Sequence, residues 1–333
     1  MQDYLKPIDQ NEVRFFSGRS NPVLAKKIAD YLELPLAETH ISRFSNDNLF
    51  VQLGASGRGR VVYIVQSLVP PVSEHLVELL MMLDIAKSAA AREVHAIIPY
   101  FSYARSDKKD APRVSITARL VADLLATAGA THVMTMQLHS PQVHGFFSMP
   151  ADPLTARGLF ANHFRPRNYT SADTVVVAPD VGGAKSSARL ARMLDLPVAS
   201  ANKERISDSE VQISGLIGGQ VKGFRRALVH DDEIATGGSV LELCNLLVEQ
   251  GIEEISLVCS HGLFLGDALQ RIAAVPQIRE IVTTDTVPRD ERDQPDNMVI
   301  LSTAPVFGGA IRQNYYRRSI GDLFDFGQDG DDE

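Results

Sequence analysis

The chain has 333 residues, room for about two domains of roughly 150 residues each. Its 44% hydrophobic and 22% charged content is that of a globular protein and excludes intrinsic disorder and fibrous repeats. The 33 basic against 41 acidic residues give a net charge of -8, which excludes a wholesale nucleic-acid or anionic-membrane surface, so any polyanionic ligand must be held locally.

In chain order, Met1 to Gln10 carries charges where a signal peptide needs an apolar run. Val13 to Phe16 reads as a strand, and Asn21-Pro22 as a helix start, with Asn as cap and Pro in the first turn. Val61 to Val65 is a second strand, and Ser73 precedes a helix from Glu74 to Ala91. The longest apolar stretch, Leu76 to Ala91, is broken by Glu78, Asp84 and Lys87, so no membrane insertion is expected. Val94 to Pro99, His132 to Leu138, Thr174 to Ala178, Ala227 to His230 and Ile255 to Cys259 complete the strands, each short enough to be buried between helices.

Such alternation predicts parallel strands joined by helices. Val61–Pro99 and Ala227–Cys259 share one plan of strand, loop, helix and strand, which predicts two related α/β halves. Their boundary is expected near Ala151 to Leu154, or within the polar Arg165 to Ser171 segment. Cys244 and Cys259 sit in apolar surroundings without metal-ligand spacing, so buried reduced thiols and a cytoplasmic location are expected. The last residues, rich in acids and without a base, read as a solvated tail. Six of the 41 acids lie from Asp322 onward; without them 33 basic residues face 35 acidic ones, a balance of -2.

The segment from Ala227 to Leu241 carries the most chemistry. An apolar strand ends in Asp231-Asp232, and the small-residue turn Ala235-Thr236-Gly237-Gly238-Ser239 then opens a helix. Glycines let backbone N–H groups approach an anion, the helix N-terminus adds positive potential, and the Thr236 and Ser239 hydroxyls can donate to phosphate oxygens. The two carboxylates can accept hydrogen bonds from sugar hydroxyls. A lone Thr-Gly-Gly-Ser would be an ordinary turn, but paired acids directly after a buried strand favour a phosphorylated sugar.

This stretch resembles the ribose-5-phosphate loop of phosphoribosyltransferase-fold proteins. Further motifs narrow the resemblance to the ribose-phosphate pyrophosphokinase (PRPP synthetase) family, over nearly the whole chain. They are Arg43-Phe-Ser-Asn46, Pro99 to Lys109, Ser115 to Leu120, Leu138 to Phe147, Pro179-Asp180-Val-Gly-Gly-Ala-Lys185 and Lys203-Glu-Arg205. The resemblance implies two related phosphoribosyltransferase-like domains, each a mostly parallel sheet flanked by helices. These are expected over 1–155, joined by the C-terminal segment near 312–326, and over 156–311, followed by an acidic tail at 327–333.

It also implies the reaction: the anomeric hydroxyl of ribose 5-phosphate attacks the β-phosphorus of Mg·ATP, giving PRPP and AMP. Ribose 5-phosphate falls to Asp231, Asp232, Ala235, Thr236, Gly237, Gly238 and Ser239. ATP falls to Phe44, Asn46, Asn48, Arg105, Asp107 and Lys108; the stretch Arg105 to Arg119 carries five basic residues against Asp107 and Asp110. Mg2+ falls to His139 and Asp180. Lys203 and Arg205, on a loop that closes in catalysis, and His139 are the catalytic residues. Site parts come from both halves, with the cleft between them the expected place of reaction. A homo-oligomer is implied, built on dimers and extending to a hexamer, with no nucleic-acid or membrane partner.

Departures from the family pattern are Asn48 for an acid, Gln137 for Asp, Ala235 for Asp, Ser186 for a base and His144 for Gln; His144 takes no catalytic role. Asn48, Gln137, Ala235 and Ser186 motivate one alternative, a non-catalytic paralogue regulating an active synthetase. Another, a phosphoribosyltransferase consuming PRPP, does not explain the Arg105 loop or the doubled architecture.

Overall fold

Strands buried on both faces read as near-continuous apolar runs, and Val61–Val65 and Thr174–Ala178, apolar but for Thr174, have all five residues buried in each. The computed structural model containing them describes residues 7–205, 211–217 and 221–321; the side chains of 203–205 and 211–217 lie outside that description. Two compact units emerge. The first holds the described residues up to Thr155, Thr286–Pro288 and those from Ser302 onward, and the second holds Ala156–Asp285 and Arg289–Leu301.

The first unit runs β1 (Val13–Ser17), α1 (Pro22–Leu32), β2 (Leu36–Ala37), β3 (Thr39–Arg43), β4 (Leu49–Leu53), β5 (Val61–Val65), α2 (Val72–Ser88), β6 (Glu93–Ile98), α3 (Thr117–Ala128), β7 (His132–Met136) and β8 (Ala151–Leu154). Six strands form a sheet in the order β2-β1-β5-β6-β7-β8, parallel at every pairing. β3 and β4 form a separate antiparallel hairpin. The core joins Ile64, Leu79, Met82, Leu83, Ile98 and Val121 to Val51 of the hairpin.

Asn21 caps α1 as expected, accepting a hydrogen bond from Leu24 N–H at 3.3 Å, with Pro22 in the first turn. The start of α2 differs from expectation: its cap is Pro71, so Ser73 lies inside the helix. It also ends early, at Ser88, because Ala90 turns left-handed at φ 58°. The Ala151 to Leu154 segment, expected near a domain boundary, is strand β8.

The second unit runs α4 (Arg157–Phe164), β9 (Thr174–Ala178), α5 (Ala184–Met193), β10 (Val198–Arg205), β11 (Val211–Ile217), β12 (Arg226–Ile234), α6 (Gly238–Glu249), β13 (Glu254–Gly262), α7 (Ala268–Ala273), β14 (Ile278–Thr284) and β15 (Met298–Leu301). Its sheet order is β11-β10-β9-β12-β13-β14-β15, with only the edge pair β10/β11 antiparallel among the described strands. Val229, Leu243, Leu247, Leu257 and Ile281 anchor its core.

The chain then returns to the first unit through α8 (Ala304–Tyr315). That return begins at Ser302, ahead of the segment near 312 expected from the sequence, because α8 buries Ala304, Phe307, Ala310 and Ile311. The acidic tail 327–333 lies outside the described residues.

Candidate active site

In the second unit, β12 is longer than the sequence suggested. It continues through both acids, pairing Asp231 with Cys259 and Ile234 with Gly262 on β13. Asp231, Asp232 and Glu233 are half-buried. The turn that follows is braced from behind: Phe264 N–H donates to Ile234 O at 3.1 Å, Leu265 N–H to Ala235 O at 2.8 Å, and Arg271 to Thr236 O at 2.8 Å. Gly237 has φ +72°, which favours glycine, and a Cβ there would stand 3.0 Å from Ile272 Cδ1, so that side chain would have to give way. Gly237 is also the N-cap of α6 and supplies no side-chain cap, while Thr236, Gly238 and Ser239 are exposed. An accessible helix N-terminus without a side-chain cap suits an anion.

Asp231 and Asp232 stand beside this turn, and the charge of Asp180 reaches Asp231. Asp232 N–H donates to Asp231 Oδ1 at 2.9 Å. Burial pushes the Asp231 carboxyl well above the ordinary range, helped by the negative charges of Asp232 and Asp180. Asp180 leads into α5 and accepts Gly183 N–H at 2.9 Å. Beneath them His230, which sequence reasoning passed over, is buried, and burial lowers its pKa to about 4. Its Nδ1 lies 3.0 Å from Ser187 Oγ. A polar residue inside an apolar strand was the available signal.

Lys203 and Arg205 belong to β10, where their backbones pair with Ile213 and Val211. The strand thus carries the backbone of both residues, where the resemblance implied a loop. The residues connecting the two strands, 206–210, and both cationic side chains lie outside the described portion.

In the first unit, Phe44, Asn46 and Asn48 form the exposed tip of the β3/β4 hairpin. Phe44 is 56% exposed and packs edge-on to Phe50 with centroids 5.6 Å apart. Phe44 N–H donates to Asn48 O at 2.9 Å, and Asn46 Oδ1 accepts Asn48 N–H at 3.3 Å, so Asn46 helps to shape the turn. Arg105, Asp107 and Lys108 occupy the loop after β6, Arg105 and Lys108 exposed and Asp107 half-buried. Ser106 closes that loop at its base, donating to Ser115 O at 3.1 Å and accepting Thr117 N–H at 3.2 Å.

His139 is exposed just beyond β7. Gln137 before it is buried, with φ 41° and its amide oxygen accepting the Thr155 hydroxyl at 3.2 Å; this departure has a packing role. His144 lies 3.0 Å from Ala151 O through Nε2.

The loops after β6 and β7 thus open from one edge of the first sheet. A polar cavity of about 460 Å3, lined by Glu12, Tyr63, Arg92, Glu93, Asn314 and Arg317 among others, lies at the N-terminal ends of β5 and β6, away from those loops, and holds none of the expected site residues. Among the described residues, no three His, Cys, Asp or Glu side chains converge as a metal-binding group. Magnesium keeps much of its water and takes oxygens from substrate phosphates, so it does not require such an enclosure. The negative charges of Asp232 and Asp180 add to burial in raising the Asp231 pKa, and that added repulsion is what a divalent cation would relieve.

Parallel-sheet units with an acid pair and a small-residue turn at a strand's carboxyl end define an α/β protein that handles sugar phosphates. Residues 13–129 match the N-terminal domain of ribose phosphate pyrophosphokinase, and residues 211–325 match the phosphoribosyl synthetase-associated domain. The chain is 50% identical over 314 residues to a Streptomyces coelicolor protein provisionally named a ribose-phosphate pyrophosphokinase, covering 94% of this chain and 98% of that one. It is 44% identical over 312 residues to the ribose-phosphate pyrophosphokinase of Deinococcus radiodurans, covering 93% and 97%. The crystal structure of phosphoribosylpyrophosphate synthetase from Mycobacterium smegmatis superposes with a TM-score of 0.85 at 34% identity, covering 92% of this chain and 99% of that one. The chain belongs to the ribose-phosphate pyrophosphokinase family, and its fold is a pair of phosphoribosyltransferase-like units.

Proposed function

We propose that the chain is a ribose-phosphate diphosphokinase, transferring the β,γ-diphosphoryl group of Mg·ATP to the anomeric hydroxyl of ribose 5-phosphate. The sugar oxygen bonds to the β-phosphorus, the bond from that phosphorus to the α,β-bridging oxygen breaks, and AMP leaves. The hydroxyl proton is lost, and no covalent enzyme intermediate is needed. The observation that carries this reading is the Asp231–Asp232 pair running directly into the α6 N-terminus at Gly237.

The 5-phosphate takes the backbone N–H groups from Ala235 to Ser239 and the Thr236 and Ser239 hydroxyls. The missing acid at Ala235 does not affect those backbone donors. Asp231 and Asp232 hold the ribose hydroxyls; Asp231, with its raised pKa, is the member suited to retain a proton and donate. Lys203 and Arg205 neutralise the transferring diphosphoryl group. ATP is held by Phe44, Asn46, Asn48, Arg105, Asp107 and Lys108, with the Asn48 amide carbonyl accepting from the adenine amino group. His139 and Asp180 would hold magnesium, which when bound would neutralise charge on the ATP phosphates.

The assembly is a homo-oligomer built on dimers and extending to a hexamer, in which the Arg105 loop contributes to a neighbouring adenine site. No described helix is long and apolar enough to cross a membrane. Burial raises both thiols, Cys244 and Cys259, to about 12, so they stay as buried thiols and a cytoplasmic home suits them.

An assay of ribose-5-phosphate-dependent AMP release from Mg·ATP tests the function. Turnover by the isolated chain excludes a purely regulatory role. Folded protein that releases no AMP across phosphate concentrations and alternative nucleotides overturns the proposal.

A further inference from the structure

The β3/β4 hairpin stands apart from the six-stranded sheet, and a two-stranded hairpin is marginal by itself. Its base is anchored by Val51 in the core. Its tip is tied to α2 by charge. Arg43, the last residue of β3, places one amino nitrogen 2.5 Å from Glu74 Oε2. The other lies 2.6 Å from Asp47 Oδ1 and 3.0 Å from Asp47 O, within the tip itself. The second oxygen of Glu74 takes Arg19 at 2.5 Å. Arg19 is fixed in turn by the fully buried Glu78, whose Oε2 accepts Arg19 Nε at 2.8 Å and whose Oε1 accepts Arg19 N–H at 2.6 Å. Gln66 holds Glu78 Oε1 at 2.9 Å from behind.

Each Glu74 oxygen thus serves a different arginine, and the two guanidinium groups hold its carboxyl below the usual range, chiefly through the Arg19 hydrogen bond. The chain Glu78–Arg19–Glu74–Arg43–Asp47 runs from the buried interior to the turn bearing Phe44, Asn46 and Asn48.

We propose that Glu74 is a positioning residue for the nucleotide: through Arg43 it fixes the hairpin tip in its binding geometry, so the ordering cost is met before ATP arrives. Glu74 touches no substrate itself. The proposal rests on the reading that this hairpin holds ATP, and the experiment separates the two.

Glu74→Gln keeps size and shape but removes the charge shared by the two arginines. It should raise both KM and Kd for ATP about tenfold, while kcat and KM for ribose 5-phosphate stay within about twofold. A purely structural role would instead lower melting temperature and active fraction without this split. Phe44→Ala, measured alongside by calorimetric ATP titration, tests the hairpin reading directly. If Phe44→Ala weakens ATP binding and Glu74→Gln does not, the positioning role is overturned and the hairpin reading stands. If Phe44→Ala leaves ATP affinity unchanged, the hairpin reading fails and the positioning role fails with it. Should Glu74→Gln fold poorly, Arg43→Gln replaces it: a selective rise in ATP Kd supports the proposal, and an unchanged Kd overturns it.

Discussion

His95 and His132 face each other inside the first unit with their Nδ1 atoms 2.9 Å apart. The outer nitrogens complete a chain: His95 Nε2 lies 3.1 Å from Glu93 Oε2, and His132 Nε2 lies 2.8 Å from Asp152 Oδ2. Each of the three contacts needs one proton, and two neutral imidazoles carry only two. The geometry is satisfied when the pair holds a third, one positive charge between two carboxylates. Burial lowers the His95 pKa, and its ring is stacked on Tyr63 with centroids 4.6 Å apart. The other groups facing the chain are Arg92 and Arg317, whose charges act on Glu93, and its pKa is lowered chiefly by the His95 hydrogen bond. Near neutral pH, nitrogen-15 spectra should show three of the four ring nitrogens protonated; two would refute the proton count. Asp152→Ala should destabilise the fold by about 2–3 kcal/mol, measured by denaturant unfolding.

His230 sets a different dependence on pH. Its folded pKa is about 4 against an ordinary 6.5, chiefly because burial disfavours the charged ring. Between those values the unfolded chain binds the extra proton and the folded chain does not. Stability is therefore fully present above the unfolded pKa and falls as the medium is acidified through this window. The contribution lost between about pH 7.5 and about pH 5 is roughly 2 kcal/mol. His230→Asn should remove that part of the acid sensitivity. A variant whose stability changes with pH as the parent's does would show that another group is responsible.

Where burial was complete on both faces, strands could be read directly: Val61–Val65 and Thr174–Ala178 have no polar break to blur their ends but Thr174. β3 escaped notice because Ile41 is the only apolar residue of Thr39–Arg43 and none of the five is fully buried. β12 seemed to stop at His230 because charge usually ends a buried strand; here the pairing with β13 carries the backbone four residues further while the acids reach the sheet's edge. The acid pair and the glycine turn were legible because their chemistry is local. The chain from Glu78 to Arg43 was not, since Arg19 and Glu74 stand 55 residues apart and meet only through the fold. The His95–His132 contact, across 37 residues, is hidden for the same reason.

Lys203 tests the division of labour between binding and chemistry. A cation acting on the diphosphoryl group as it moves contributes in the transition state more than in the ground state. Lys203→Ala should then lower kcat by about a thousandfold while ATP binding, measured by calorimetry, is largely retained. Arg205→Ala should behave alike. An unchanged kcat would remove both residues from the catalytic step, and a selective rise in KM would make them ground-state binders.

Gly237 joins backbone strain to ligand geometry in one substitution. Gly237→Ala must hold φ +72° and also place a methyl group 3.0 Å from Ile272 Cδ1. The left-handed conformation costs about 1 kcal/mol for an alanine, and the contact adds to it unless Ile272 turns away. Relief comes by moving the turn, and movement there displaces the N–H groups assigned to the sugar phosphate. KM for ribose 5-phosphate should rise about tenfold or more with KM for ATP little changed, and stability should fall by about 1–2 kcal/mol. Ile272→Ala in the same chain opens space for the new methyl group but leaves φ unchanged. If the double variant recovers KM, crowding displaced the turn; if it does not, the backbone conformation at Gly237 is what the phosphate site requires. An unaltered ribose-5-phosphate KM in Gly237→Ala itself would remove this turn from the binding site.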